Sequence, residues 1–171
     1  LGIQPDGIML SNGPGDPKDC GPIIDEVKTL LYSGVPTFAI CLGHQLSALA
    51  TGGDTEKLAY GHRGVNHPVR DLATGRSYIT SQNHGYCVKA ESIDPAIAEV
   101  AFENVNDGTV EGLRFKELPV FTVQFHPEAS PGPKDTEFLF DRFVVFGKSI
   151  NTNDLGRKEQ QATREQQHKA E

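Results

Sequence analysis

The spacing of apolar residues changes several times along the chain, and these changes predict alternating strands and helices. Apolar runs over Gly7–Ser11 and Thr37–Ile40 are typical of buried strands. Pro22–Tyr32 repeats its apolar residues at helical spacing, and Leu42–Thr51 is a helix-forming stretch that follows the second strand directly. Strands that alternate with helices indicate an α/β open sheet of the flavodoxin-like or Rossmann type.

The middle of the chain has a different pattern. After Gly52 and Gly53 the helical spacing disappears, and short alternating runs such as Ser77–Thr80 continue to about Arg114. Asn106-Asp107-Gly108 is typical of a turn between strands. This region predicts a mixed β extension of the sheet that contains antiparallel pairs.

The last part of the chain returns to the α/β pattern and then loses its apolar residues. Val120–Phe125 predicts a strand of the main sheet, and Asp135–Lys148 predicts a closing helix with Phe138 among its apolar residues. Residues 1–150 are therefore interpreted as one domain. Polar residues dominate 151–171, where Leu155 is the only large aliphatic residue, so a disordered tail is predicted there.

Composition and charge exclude several classes of function. The net charge of −7 and the pI near 5.3 argue against a nucleic-acid partner, because phosphate backbones select basic surfaces. No apolar run approaches the roughly 20 residues that cross a bilayer, and Leu1–Asp6 lacks the features of a signal peptide. Three cysteines at unrelated spacings indicate free thiols in the cytoplasm and no zinc site.

Cys41 is the candidate nucleophile. It lies where the strand that ends at Ile40 turns directly into the helix that opens at Leu42. Such an elbow lifts a side chain out of the sheet and directs backbone N–H groups toward the atom that the side chain attacks. The alternative is that Cys41 is a small buried residue at the end of a core strand, as many intracellular cysteines are.

His126 and Glu128 are the candidate base and acid. They follow the strand Val120–Phe125 and are two residues apart, so an extended backbone would direct both side chains to one side. A thiol on one strand end, with an imidazole and a carboxylate on another, matches the logic of an activated nucleophile. The sequence therefore predicts a Cys–His–Glu triad that forms only in the fold.

Four segments of the chain together resemble the class I (triad) glutamine amidotransferases. In family order they are Ser11–Pro17, Ile40–Gln45, Gln82–Gly85 and His126–Pro133. The resemblance covers roughly Asp6 to Val145. Gly61–Pro68 and Ala129–Pro133 are similar to the carbamoyl phosphate synthetase branch in particular, whose small subunit is a glutaminase.

The resemblance also implies a set of residues that bind glutamine. The backbone N–H groups of Gly13 and Leu42 would form the oxyanion hole, and Gly15 would contact the substrate. Gln45, Asn83, Gly85 and Tyr86 would complete the pocket, with residues 83–86 as a tight loop. Read individually, Gln45 could instead be an exposed helix residue, Asn83 a turn former, and the Gly13–Pro17 loop an ordinary turn.

The implied activity is hydrolysis of L-glutamine through a cysteinyl thioester, without a metal or an organic cofactor. In the family, ammonia passes to a large synthetase subunit, which uses ATP, Mg²⁺ and bicarbonate to make carbamoyl phosphate for pyrimidines and arginine. Alternatives are the amidotransferase of anthranilate or guanylate synthase, or a non-catalytic partner-binding fragment. The family's small subunit has further strands and a domain before this segment, so the resemblance implies that the amidotransferase domain is truncated at its N-terminus.

Overall fold

A single mixed sheet organises the residues that the computed structural model describes, which are 2–129 and 132–149. Within these ranges its strands are β1 (Ile8–Leu10), β2 (Thr37–Ile40), β3 (Thr55–Asp71), β4 (Ser77–Val88), β5 (Ala98–Asn104), β6 (Val110–Phe115) and β7 (Val120–Val123). The helices are α1 (Gly21–Leu31), α2 (Leu42–Ala50) and α3, residues 138–149. The predicted tail, 151–171, lies outside the described residues.

The first half of the sheet is parallel. β1, β2 and β7 lie side by side, with Ile8 in register with Thr37 and Thr37 in register with Val120. The chain crosses from β1 to β2 through α1 and leaves β2 through α2, as the alternating pattern predicted. The carboxyl ends of β2 and β7 therefore meet at one edge, where ligand sites of open α/β sheets occur.

The second half of the sheet is antiparallel and confirms the predicted β extension. β7 pairs with β6, and the strand order across the sheet is β1-β2-β7-β6-β4-β3-β5, with a further pairing of β5 to β6. β3 and β4 form a long hairpin of 17 and 12 residues. Residues 83–86 lie inside β4, so the predicted tight loop is wrong. Cross-strand pairing with β3 overrides the turn preference of these residues.

Apolar side chains cover both faces of the parallel half. On one face, α1 and α2 pack Leu31 and Leu46 into a cluster with Leu113. On the other face, Leu139 of α3 joins a cluster around Phe38 and Phe125. Helices on both faces make this half doubly wound. No helix in residues 2–129 and 132–149 is both long and apolar enough to span a membrane.

The predicted closing helix differs in one respect. Residues 135–137 form a turn and the helix begins at 138, so Phe138 stands at its first turn. The Phe138 side chain is 39% exposed, and its ring contacts Tyr78 at a centroid distance of 5.4 Å. It therefore lies at the rim of the α3 contact rather than in the core.

Candidate active site

Cys41 occupies a backbone conformation that few non-glycine residues adopt. Its φ of 53° and ψ of −103° lie at the junction of β2 and α2. Its N–H donates to the carbonyl of Val123 in β7 at 2.8 Å, and its carbonyl accepts from the N–H of Gln45 at 3.1 Å. Cys41 is thus held by the sheet on one side and by the helix on the other, which is the elbow expected from the sequence.

Two glycines allow the elbow to pack closely. A Cβ on Gly43 would lie 2.5 Å from the carbonyl oxygen of Leu10 in β1, and a Cβ on Gly13 would lie 2.7 Å from Cδ2 of Leu42. Both distances are too short for a side chain, so the start of α2 lies directly against β1 and the loop that follows it. This contact places the uncapped N-terminal N–H groups of α2 beside the Gly13 loop.

The structure brings His126 and Glu128 together beyond the end of β7. Their side chains are joined by a hydrogen bond of 2.8 Å between Nδ1 and Oε1. The cause differs from the sequence expectation, because β7 ends at Val123 and a turn at 127–128 makes the contact. The backbone N–H of His126 donates to the carbonyl of Ser81 in β4 at 2.9 Å, which fixes the imidazole relative to the hairpin.

The Cys41 thiol also interacts with the His126 imidazole, so the elbow and the turn meet in one group. Since Nδ1 faces Glu128, Nε2 is the nitrogen that remains for the thiol. The interaction with Cys41, followed by the hydrogen bond to Glu128, raises the pKa of His126 to about 10. Burial alone would raise the pKa of Glu128, but the hydrogen bond from His126 lowers it overall. His126 is therefore positioned to exchange a proton with the Cys41 thiol.

A cavity of about 370 Å³ opens beside the nucleophile. The predicted site residues that line it are Cys41, Gly13, Gly15, Gln45, Asn83, Gly85 and Tyr86. Gly15 has a φ of 99°, a conformation that favours glycine. The other three predicted residues, Leu42, His126 and Glu128, are not among those that line the cavity. The side chain of Leu42 packs on Gly13, and His126 is connected to the cavity by its interaction with the Cys41 thiol. This volume is in the range of small-molecule sites.

Gln45 is buried, at 3% exposure, so the alternative of an exposed helix residue is wrong. Its Nε2 donates both to the carbonyl of Tyr86 and to Oε1 of Gln124, each at 2.9 Å. Both amide hydrogens are therefore used, which leaves Oε1 as the group that can accept a hydrogen bond from a ligand. Gln124 was not identified from the sequence, although a glutamine within an apolar strand end is a signal of a buried polar contact.

His84 links the cavity to a buried polar network. Its Nδ1 donates to the carbonyl of Tyr86 at 2.8 Å, and its Nε2 lies 2.8 Å from Oε1 of Gln82. Gln82 is oriented by donating Nε2 to Glu111 Oε1 at 3.0 Å. Burial is the main cause that lowers the pKa of His84 to about 4, with a further contribution from the nearby His62. His84 is therefore a neutral side chain that supports the cavity wall.

His62 belongs to the same network, but its surroundings favour the protonated imidazolium. Its Nδ1 donates to Gln82 Oε1 at 3.0 Å, and its Nε2 donates to Asp107 Oδ2 at 2.8 Å. A hydrogen-bonding contact with Glu111, together with that to Asp107, raises the pKa of His62 to about 9. Because the carboxylates of Asp107 and Glu111 lie 2.8 Å and 3.5 Å from its two ring nitrogens, His62 is an imidazolium at neutral pH.

Three of these residues also satisfy the composition of a metal site. Among the described residues, His62, His84 and Glu111 place their ligand atoms within 4.8 Å of one another. However, Gln82 Oε1 stands between the two imidazoles, 3.0 Å from one and 2.8 Å from the other. A metal would have to displace this oxygen, so the cluster is accounted for as a hydrogen-bond network.

The remaining cysteines lack the surroundings of Cys41. All three cysteines are free thiols, with Cys20 half-buried and Cys87 buried. Burial raises the pKa of Cys87 to about 12, so this thiol remains protonated and unreactive. The cavity is also lined by side chains that were not among the predicted site residues, namely Asp16, Lys57, Arg63 and His84.

Curated proteins of known name are similar to this chain in sequence. The carbamoyl phosphate synthase small chain of Bacillus caldolyticus is 58% identical over 151 residues, which cover 88% of this chain and 41% of that protein. The corresponding protein of Symbiobacterium thermophilum is 57% identical over 146 residues, covering 85% of this chain and 40% of that protein. The chain thus spans about two fifths of the length of these relatives.

Structural similarity concerns the fold alone. A Thermoplasma acidophilum protein described as part of a GMP synthase superposes with a TM-score of 0.75 at 21% identity, covering 88% of this chain and 77% of that chain.

The family profile "Glutamine amidotransferase class-I" matches residues 2–146. Because this match runs through the elbow at Cys41 and the turn at His126 and Glu128, the chain belongs to the class I glutamine amidotransferase family.

Proposed function

We propose that the chain is the glutaminase part of a carbamoyl phosphate synthase small subunit, which hydrolyses L-glutamine and supplies ammonia to a synthetase subunit. The observation that carries this proposal is the series Cys41–His126–Glu128 beside a cavity of about 370 Å³, in which the His126 imidazole interacts with the thiol and is hydrogen-bonded to Glu128. The proposal for the branch rests on identities of 57–58% to carbamoyl phosphate synthase small chains.

The first half of the reaction forms a thioester. With His126 Nε2 holding the proton taken from Cys41, Sγ attacks the side-chain carboxamide carbon of glutamine. The oxyanion that forms would be held by the backbone N–H groups of Leu42 and Gly13, whose close approach the absent side chain of Gly13 permits. One such donor lowers a barrier by roughly 2.7–4 kcal/mol. His126 then protonates the leaving nitrogen, the carbon–nitrogen bond breaks, and ammonia leaves.

The second half of the reaction releases glutamate. His126, again neutral at Nε2, takes a proton from water while the oxygen attacks the thioester carbonyl. The carbon–sulfur bond then breaks, and the thiolate takes the proton back from the imidazolium. Glu128 keeps the ring in one orientation throughout and compensates the charge that His126 carries.

The substrate would be held by the residues around the cavity. Gln45 Oε1 is free to accept from the α-ammonium of glutamine, since its amide nitrogen is bound by Tyr86 and Gln124. Gly15, Asn83 and Gly85 also line the cavity and provide backbone and amide groups. In this proposal the half-reaction needs no metal or organic cofactor, and ATP, Mg²⁺ and bicarbonate are used by the partner subunit.

The proposal is tested by the Cys41→Ala variant of the protein assayed with its synthetase subunit. Glutamine-dependent formation of carbamoyl phosphate should fall by at least about 10³-fold, because no thioester can form. Formation from added ammonia should be unchanged. Cys20→Ala is the matched control and should keep both activities. Glutamine-dependent synthesis at a normal rate in Cys41→Ala would refute the assignment.

A further inference from the structure

Two cationic side chains line the cavity and have no part in the reaction described above. Lys57 and Arg63 belong to β3, where Lys57 is in register with Tyr86 and Arg63 with Asn83. Among the described residues, no carboxylate lies within ion-pair distance of either side chain. The cavity therefore presents positive charge that no carboxylate of residues 2–129 and 132–149 neutralises by an ion pair.

A bulge in β3 determines where the guanidinium of Arg63 lies. Lys57 is paired with Tyr86, and the next pair along the two strands is His62 with His84. Between these pairs β3 has more residues than β4, so the extra residues of β3 are left out of the regular pairing. Gly61, with a φ of 70°, allows the turn. The carbonyl of Tyr60 then accepts a hydrogen bond of 2.7 Å from Nη1 of Arg63.

Glycines leave room for this guanidinium against the wall of the cavity. A Cβ on Gly61 would lie 2.7 Å from Nη1 of Arg63 and 2.6 Å from the carbonyl oxygen of His84. A Cβ on Gly85 would lie 3.7 Å from Nη2. Arg63 is thus anchored through one nitrogen, while Nη2 lies over the glycine of β4 that faces the cavity.

The acidic side chain that lines the cavity already has partners within the protein. Asp16 is the only acidic side chain among the described residues that line it. Its Oδ1 accepts from the backbone N–H of Lys18 at 2.9 Å, and its carboxylate also interacts with the Tyr86 side chain. The unpaired positive groups therefore favour a ligand that brings its own anion, and a guanidinium matches a carboxylate best because it can donate two parallel hydrogen bonds.

We propose that Arg63 binds the α-carboxylate of glutamine and thereby selects substrates in which this carboxylate is free. The inference rests on the proposed glutaminase function, since it places the carboxamide of the same molecule at Cys41. Lys57 adds to the positive field of the cavity but is not the group that contacts the carboxylate. Arg63 is a specificity residue, and its loss should act on substrate binding more than on the chemical steps.

The test compares L-glutamine with L-glutamine α-amide, in which the α-carboxylate is a neutral carboxamide. Ammonia release is measured for the wild type, Arg63→Gln and Arg63→Lys in the complete enzyme. The wild type should prefer L-glutamine, and Arg63→Gln should lower kcat/KM for L-glutamine about 10- to 100-fold, mainly through KM. The same change should alter kcat/KM for the α-amide by less than about threefold, and Arg63→Lys should retain part of the preference.

Arg70→Gln is the matched control, because Arg70 is an exposed arginine of β3 that is in register with Ser77 and Glu103, away from the cavity. It should behave as the wild type. Equal losses on both substrates in Arg63→Gln would indicate a structural role and overturn the inference, as would loss of the preference in Lys57→Gln but not in Arg63→Gln. A wild type that releases no ammonia from L-glutamine would instead overturn the proposed function, and this inference with it.

Discussion

The charge of His62 makes a prediction about stability that can be worked out from the structure. His62 is 8% exposed and is held between Gln82 and Asp107, and its pKa is raised from 6.5 to about 9. A folded-state pKa above the unfolded value means that the native protein binds the proton more tightly. The stabilisation is therefore complete below about pH 6.5, declines as the pH rises toward 9, and is absent above that value.

The separation between these two pKa values corresponds to about 3 kcal/mol as an upper limit. His62→Gln removes the titrating group, so the free energy of unfolding of the wild type minus that of the variant should fall by up to about this amount between pH 6.5 and 9.5. Urea unfolding followed by circular dichroism at the two pH values measures the difference.

His84→Gln is the control, because its ring centroid lies only 4.9 Å from that of His62 but its pKa is lowered to about 4. Because the pKa of His84 is lower in the folded protein than in the unfolded chain, His84 lowers the free energy of unfolding as the pH falls from about 6.5 toward 4. Above about pH 6.5 His84 does not change how the free energy of unfolding depends on pH. The His84→Gln difference should be flat from pH 6.5 to 9.5. A flat His62→Gln difference over the same range would refute the assignment of the charge.

Two further substitutions test the geometry of the elbow and the triad. Glu128→Gln should reduce kcat less than His126→Asn does, because the imidazole remains as the base and loses only its orientation; equal losses would contradict the separate roles. Gly43→Ala should destabilise the protein by about 1–3 kcal/mol and reduce glutamine hydrolysis, because the new methyl group would lie 2.5 Å from the carbonyl oxygen of Leu10. Gly21→Ala, where a methyl group meets nothing within 4 Å, is its control in thermal melting, and equal melting of the two variants would refute the packing argument.

The parallel half of the fold could be predicted from the sequence because its signals are local. A continuous apolar run ends at Ile40, and helical spacing begins at Leu42, so the elbow between them is visible without tertiary information. The hairpin of β3 and β4 could not be predicted in the same way. Gly61 and Gly64 adopt positive φ, and register shifts on both sides of the central pairs break the alternation that reveals a strand.

The same limit applies to the candidate site. Cys41, His126 and Glu128 belong to compact segments whose residue types suggest the chemistry. Arg63 reaches the cavity only because β3 pairs with β4 in one particular register, and Gln124 becomes important only through its contact with Gln45. Both contacts join segments that are far apart along the chain, so neither produces a residue spacing that can be recognised in a single sequence.

β7 is hydrogen-bonded in parallel to β2 and antiparallel to β6, and it is therefore the seam between the two halves of the sheet. Groups that would make and break bonds lie at the ends of the parallel strands on one side of this seam. Arg63, Asn83 and Tyr86, which would recognise the amino acid, lie in the hairpin on the other side. The part of selectivity that depends on the hairpin can thus diversify separately from reactivity, whereas Gln45 and Gly15 belong to the half that carries Cys41. An engineer who wishes to change the accepted amide should redesign the hairpin and leave the elbow intact.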